Sequence, residues 1–166
     1  VRLVGSEMCI RDSSIGVMIF VTFLISAACT VLYEQVQENA NVAIYARMAY
    51  MDTMTGLGNR TAFLEENKSN AAFPGMISYI MMDANNLKKI NDTLGHNKGD
   101  ELIVTIAKCM RTAVGDSGQC YRIGGDEFVI ILKNKTATET EEIIKQVRAE
   151  VSFADEQSDI PISVAI

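Results

Sequence analysis

Residues 15–33, IGVMIFVTFLISAACTVLY, contain no charged side chain. A run of this length can cross a bilayer as a helix. It lacks the polar stripe that a surface helix of a soluble domain shows. Three readings compete: a membrane span, the core of a signal peptide, and a buried core helix. A signal peptide has a shorter apolar centre and a small-residue cleavage site. SAAC at 26–29 resembles such a site, but the apolar run continues past it. Length favours a membrane span over residues 14–33, so the chain is expected to divide into an anchor and a soluble part. Arg2 and Arg11 precede the run and Arg47 is the nearest base after it, a basic excess that by itself places the N-terminus inside. Residues 1–13, VRLVGSEMCIRDS, resemble translated adapter read-through. On that reading they are not native, their arginines say nothing about topology, and the protein begins further upstream.

After the apolar run, EQVQENANVAIYARMAY (34–50) reads as a continued helix with a weak apolar stripe through Val36, Ala40, Ala43 and Met48. A short coiled-coil connector has this pattern. The soluble part begins near Asp52. TAFLEENK (61–68) reads as a short helix and MISYIMMD (76–83) as a buried strand ending on an acid. NNLKKINDTLG (85–95) reads as a helix stopped by glycine. KGDELIVTIAKCMRTAV (98–114) places Leu102, Ile103, Ile106, Ala107 and Met110 on one helical face. GQCYRI and EFVIIL flank a Gly-Gly turn as a hairpin. TETEEIIKQVRAEVSF (138–153) reads as a helix opened by a Thr138/Glu141 capping box, and IPISVAI (160–166) as a last strand. The order β-α-α-β-β-α-β predicts an α/β or α+β fold, a sheet with flanking helices.

Charge and cysteines exclude other classes. A net charge of −6 and a pI near 4.8 argue against nucleic acid as a partner. Cys9, Cys29, Cys109 and Cys120 form no CxxC pair and share one histidine, so a zinc site is not expected and free thiols are.

The chemistry concentrates at two places. Asp83 closes the first strand, while Asp126 and Glu127 sit at the hairpin tip after Gly124 and Gly125. The two helices between the first strand and GQCYRI are long enough for a crossover joining parallel strands. If those strands are neighbours, the acids meet at one edge. Clustered carboxylates repel unless a cation lies between them. Oxygen ligands select Mg²⁺ or Mn²⁺, and Mg²⁺ shares its shell with phosphates. The glycines let the backbone bend and a bulky ligand approach. The bland alternative is a glycine turn with solvated acids. In DANNLKKINDTLGHNKGD (83–100), Asn91 and Asp100 can read a guanine edge if they face one cavity. Helix capping is the bland reading of both residues and a good explanation for Asp100 in particular. Lys88 fits a solvated helix face, and His96 reads as packing or capping.

Together, DTMTGLGNR (52–60), DANNLKKINDTLGHNKGD (83–100) and RIGGDEF (122–128) resemble the GGDEF family of diguanylate cyclases in content, order and spacing, over residues 52–166. The resemblance implies a ferredoxin-like, nucleotidyl-cyclase-like sheet. It also implies one GTP per domain, a homodimer facing across a symmetric interface, and cyclic di-GMP with two pyrophosphates as products. It implies two Mg²⁺ (or Mn²⁺) per active half-site, held by Asp83, Asp126 and the Ala84 carbonyl, with Glu127 beside them. Asn91 and Asp100 match the guanine-reading pair. Lys88 and the backbone at Asn86 and Leu87 match the phosphate-contacting turn, and Gly124 and Gly125 lie under the α-phosphate. Because GTP is cytoplasmic, the resemblance implies a bacterial inner-membrane protein with this domain in the cytoplasm, against the simple arginine count.

Three departures follow. Met54 stands where the family usually has leucine. The RxxD positions used for product inhibition hold Gly115 and Gly118, so feedback by that route is not expected. The family continues past ISVAI with a glycine, a helix and a strand bearing phosphate-binding bases, which this chain is expected to lack. The alternatives to a cyclase are a non-catalytic GTP- or cyclic-di-GMP-binding sensor and an inactive fragment. The intact acids and glycines of the signature favour the cyclase.

Overall fold

The structure, a computed structural model, describes the backbone of residues 2–166 and the side chains of 15–166 except Ala43, Ala46 and Arg47. The reading of residues 1–13 as foreign, and the orientation argument from Arg2, Arg11 and Arg47, rest on side chains outside that set. The chain divides into two units, Val1–Ala46 and Arg47–Ile166. One unbroken helix, α1 (Arg2–Tyr50), carries both the apolar run and the connector. Its segment Ile15–Val42 is long and apolar enough to cross a membrane, and none of it is buried in protein. The segment includes the apolar run at 15–33 and continues into EQVQENANV (34–42), which adds two charged side chains, Glu34 and Glu38, and four amides.

The second unit is α2 (Arg60–Asn70), β1 (Ile77–Ala84), α3 (Leu87–Leu94), α4 (His96–Val114), β2 (Gly118–Arg122), β3 (Glu127–Lys133), α5 (Ala137–Glu156) and β4 (Val164–Ala165). The sheet order is β2-β3-β1-β4, with every neighbouring pair antiparallel. β1 and β2 therefore run parallel, as the crossover predicts, but they are not neighbours. β3 is inserted between them, which makes the split β-α-β of a ferredoxin-like fold.

Both faces of β3 are covered, which explains its unbroken apolar run. Phe128, Ile130 and Leu132 join Ile80, Met82 and the α4 residues Leu102, Ile103, Ile106 and Met110 in the main core, which Ile143, Val147 and Val151 of α5 complete. On the other face Val129 and Ile131 pack with Tyr121 against Ala62 and Phe63 of α2. β1 is covered differently from the fully buried strand its sequence suggests: Ile80, Met82 and Ala84 are buried, whereas Tyr79, Met81 and Asp83 are exposed.

Two boundaries shift for local reasons. The α5 capping box is Thr136/Glu139, not Thr138/Glu141. The T-x-x-E spacing occurs twice here, and the earlier copy closes with Thr136 N–H donating to Glu139 at 2.8 Å. The final strand shrinks to two residues. Pro161 has no N–H to give a ladder, and the Ile162 N–H donates to the Asp155 carboxylate at 2.6 Å. Ile160 and Ile162 still fill the core.

β2 starts close against β3. A Cβ on Gly118 would lie 2.6 Å from the Ile131 carbonyl oxygen and would strike the Leu132 side chain. Gly118→Ala is expected to destabilise the fold by about 1–3 kcal/mol, read as a lower midpoint in chemical denaturation of the full chain. An unchanged midpoint would show that β2 can move aside freely.

Candidate active site

Strand register brings the carboxylates together. Asp83 of β1 lies directly opposite Glu127 of β3. One step on, the Ala84 N–H donates to the Asp126 carbonyl at 2.9 Å. That makes 84/126 a hydrogen-bonded step and 83/127 an unbonded one, where side chains sit closer, with Cβ atoms roughly 4.5–5.5 Å apart. Asp83 and Glu127 are exposed and Asp126 is half-buried. The neighbour of the first strand is thus β3 rather than GQCYRI, and the acids meet by antiparallel pairing rather than across parallel strands.

Two like charges placed opposite each other destabilise a sheet. Among the described residues no group of three or more His, Cys, Asp or Glu side chains is assembled to enclose a metal. The available donors are oxygens: the carboxylates of Asp83, Glu127 and Asp126, and the Ala84 carbonyl. Such an open set fits a hard cation that keeps waters and substrate phosphates in its shell, as Mg²⁺ does, and does not fit a closed zinc cage.

The hairpin tip is held from behind. Arg122, the last residue of β2, donates from Nη2 and Nε to the Gly125 carbonyl at 2.7 and 3.2 Å. The same guanidinium meets Asp52 at 3.3 Å, and Asp52 accepts from the Thr55 hydroxyl at 2.6 Å and its N–H at 2.8 Å. Burial raises the Asp52 carboxyl, but the Thr55 hydrogen bonds and the Arg122 charge outweigh it and hold it below the ordinary 3.8. The loop that follows α1 is therefore tied to the turn that carries the acids. Sequence reading quoted Asp52, Thr55 and Arg122 within motifs and gave them no role. The signal was present: Asp-x-x-Thr is a local carboxylate turn, and an arginine directly before a glycine turn can reach its carbonyls.

Gly124 and Gly125 do not adopt the left-handed backbone expected of a tight glycine bend; among the described glycines only Gly56, Gly95 and Gly115 have positive φ. Their use is space. A Cβ on Gly124 would lie 2.5 Å from a Glu127 carboxylate oxygen, while Gly125 faces nothing within 4 Å.

The left-handed residue is Asn86, at φ 63°, ψ 14°, where β1 turns into α3. Its side chain makes no cap hydrogen bond, so the first N–H groups of α3 keep their donors for another partner, in the arrangement that receives phosphate. Leu87 is half-buried and Lys88 is exposed at this end. Neither Asn91 nor Asp100 caps a helix. α4 begins at His96, and its N-cap is Gly95. Asp100 lies exposed one turn inside it, and His96 is exposed rather than packed or capping. Of the described cysteines, Cys29 is exposed, Cys109 buried and Cys120 half-buried, all unpaired; Cys9 lies outside the described side chains. Burial pushes the Cys120 thiol up to about 11, consistent with an inert free thiol.

Two cavities lie in this unit, one of them at the carboxylates. A shallow one of about 280 Å³ includes Met81, Asp83, Glu127 and Ile166. A larger one of about 570 Å³, on the α2 side between Leu57, Arg111, Gly115 and Tyr121, shares no residue with the carboxylates.

With this geometry in place, comparison with known proteins is decisive. Residues 49–166 match the family described as "Diguanylate cyclase, GGDEF domain". The chain belongs to the GGDEF family. A Vibrio cholerae diguanylate cyclase is 34% identical over 129 residues, covering 72% of this chain and 40% of that protein. The cyclic di-GMP phosphodiesterase PdeB of Shewanella oneidensis is 33% identical over 122 residues, covering 74% of this chain and 13% of that protein. The chain thus spans well under half of these relatives' lengths. The structure of the coiled coil and GGDEF domain of DgcB from Caulobacter crescentus in complex with c-di-GMP superposes with a TM-score of 0.74. It covers 86% of this chain and 80% of that one at 24% identity, which shows the fold.

The Asp52 tie gives the GGDEF domain a specific acid sensitivity. The folded carboxyl binds its proton more weakly than the unfolded one. Its contribution is therefore present above pH 3.8 and lost as pH falls through the lower folded-state value. Asp52→Asn is expected to lower the denaturation midpoint at pH 6 and to shrink the further drop between pH 6 and pH 3. An unaltered midpoint at pH 6 would refute the tie.

Proposed function

We propose that this GGDEF domain is the catalytic part of a membrane-anchored diguanylate cyclase that condenses two GTP molecules into cyclic di-GMP. The observation that carries the reading is the pairing of Asp83 with Glu127 at an unbonded sheet position, beside the uncapped, left-handed entry to α3. Carboxylates gathered on one side and free backbone donors on the other suit a triphosphate that arrives with a divalent cation.

In this reading the N–H groups at Leu87 and Lys88, with the Asn86 turn and the Lys88 ammonium, hold the phosphates. Asn91 and Asp100 read the guanine edge: the amide donates and accepts, and the carboxylate accepts from the ring N–H and the amino group. Gly125 leaves room for the α-phosphate. Asp83, Asp126 and the Ala84 carbonyl would hold Mg²⁺ or Mn²⁺, two per half-site, with Glu127 alongside. When bound, such ions neutralise the triphosphate and acidify the 3′-hydroxyl. Asp126 steers the proton from that hydroxyl. The 3′-oxygen forms a bond to the α-phosphorus of the partner's GTP as the bond to the bridging oxygen breaks and pyrophosphate leaves. The second half-site repeats the exchange.

Each product needs two domains, so pairing is itself a control point. Residues 34–50 continue α1 and present Val36, Val42, Tyr45 and Met48 to solvent. The DgcB structure likewise contains a coiled coil together with its GGDEF domain. We place the apolar run, residues 14–33, across the membrane with the GGDEF domain on the cytoplasmic side, where GTP is.

Two experiments test this. The native full-length protein, given GTP and Mg²⁺, should form cyclic di-GMP, and Asp126→Ala should lower turnover by about 10²–10⁴-fold; turnover near wild type would remove Asp126 from its role. Replacing residues 14–48 with a constitutively dimeric coiled coil should raise activity, and no response would separate catalysis from helix pairing.

A further inference from the structure

Gly99 is buried inside α4, where a glycine is a poor helix former. Its backbone does not require it, since its φ is not positive. It differs in this from Gly95 and Gly115, which have positive φ and face open space. What Gly99 excludes is a side chain. A Cβ there would collide with the Asn91 amide oxygen, lie 2.9 Å from Asn91 Cγ and lie 3.2 Å from Leu87 Cδ1. All three atoms belong to α3. Gly99 is therefore the point where α3 meets the α4 backbone, and the Asn91 amide is the group lying on it.

Asn91 is fixed from its other side as well. Its main-chain carbonyl accepts from the Gly95 N–H at 3.1 Å, which closes α3. The Gly95 carbonyl in turn accepts from the N–H groups of Lys98 and Gly99 at 3.1 and 3.4 Å, which opens α4. The amide is thus confined between a short inter-helix turn and a helix surface with no Cβ. Asp100 is the next residue along α4 and is exposed. The separation between the Asn91 amide and the Asp100 carboxylate follows from how closely the two helices approach at Gly99.

We propose that Gly99 is a specificity-determining positioning residue: it sets the spacing of the Asn91 amide and the Asp100 carboxylate so that together they match a guanine edge. This rests on the assignment of those two residues as the guanine readers. A methyl at 99 turns the amide away or forces the helices apart, and either change misaligns one reader while leaving the carboxylates and the signature turn in place.

The test is equilibrium binding of GTP and of ITP, which lacks the 2-amino group, to the full-length protein. Gly99→Ala is expected to weaken GTP binding by about 10-fold or more, the scale of one lost hydrogen bond in a desolvated site, and to bring the GTP:ITP ratio toward one. In an Asn91→Ala background, which removes the amide the methyl would strike, Gly99→Ala should cause no further loss. Additive losses in that cycle would overturn the proposal. So would a wild-type GTP:ITP ratio in Gly99→Ala accompanied by a lower thermal midpoint, which marks a packing role alone. If Asn91→Ala itself leaves GTP binding intact, the guanine-reading assignment falls, and the proposal falls with it. That result is distinct from failure of the Gly99 step.

Discussion

The register between β1 and β3 is the constraint on which the site depends. β3 alone does not determine it, because Phe128 through Leu132 are apolar at every position and buried on both faces. β1 does. Ile80, Met82 and Ala84 face the core, and Tyr79, Met81 and Asp83 face out. Slipping β1 by one residue would turn Asp83 inward and expose Met82. Burying an unpaired carboxylate costs several kcal/mol, more than the repulsion of Asp83 and Glu127 at the surface, which is of order 1 kcal/mol. The fold therefore tolerates two acids face to face because the alternative register is worse, and the same choice leaves both acids where a cation and its phosphates can reach them.

A turn bearing such acids needs support that does not use the acids themselves. It comes from three directions: Ala84 N–H to the Asp126 carbonyl, Arg122 to the Gly125 carbonyl, and Asp52 to Arg122. The last pair differs from the ion pairs on helix surfaces. Arg122 and Asp52 side chains are 14% and 22% exposed, against 72% and 52% for Lys68 and Glu65. Exposed pairs of the second kind contribute roughly 0–1 kcal/mol and are screened by salt. The half-buried pair also carries hydrogen bonds from Thr55 and to Gly125, so it acts as a bracket. Asn59 adds a second tie on the same loop, capping α2 through Ala62 N–H and donating to the Ala49 carbonyl. The last residues of α1, which belong to the second unit, are thereby fastened within a few residues of the bracket.

Much of the fold was legible in the chain. The alternation of element types, the α4 face from Leu102 to Met110 and the hairpin around Gly-Gly followed from periodicity and turn chemistry, because each is local. What was not legible was relational. The neighbour of β1 could not be read from the crossover, since a split β-α-β places the same two strands parallel with a third between them. The α5 cap was ambiguous because T-x-x-E occurs twice in TATETE. The last strand was overestimated because the apolar pattern of IPISVAI does not reveal that Pro161 and the Ile162–Asp155 bond take its N–H groups out of the ladder. In the candidate site, the carboxylates and glycines stand out by residue type, whereas Arg122 and Asp52 act on each other across 70 residues of sequence.

The glycines make the same distinction at finer scale. A sequence shows that a side chain is missing but not what the absence is for. At Gly95 the backbone requires it. At Gly118 and Gly58, Cβ atoms would strike Leu132 and Tyr121, so the absence serves strand and loop packing. At Gly99 the excluded volume holds a polar amide rather than a core side chain, an unusual thing to keep clear unless the amide's direction matters. At Gly125 nothing in the protein fills the space. Under the proposed function, that open space directly beside Asp126 is what leaves room for a phosphate.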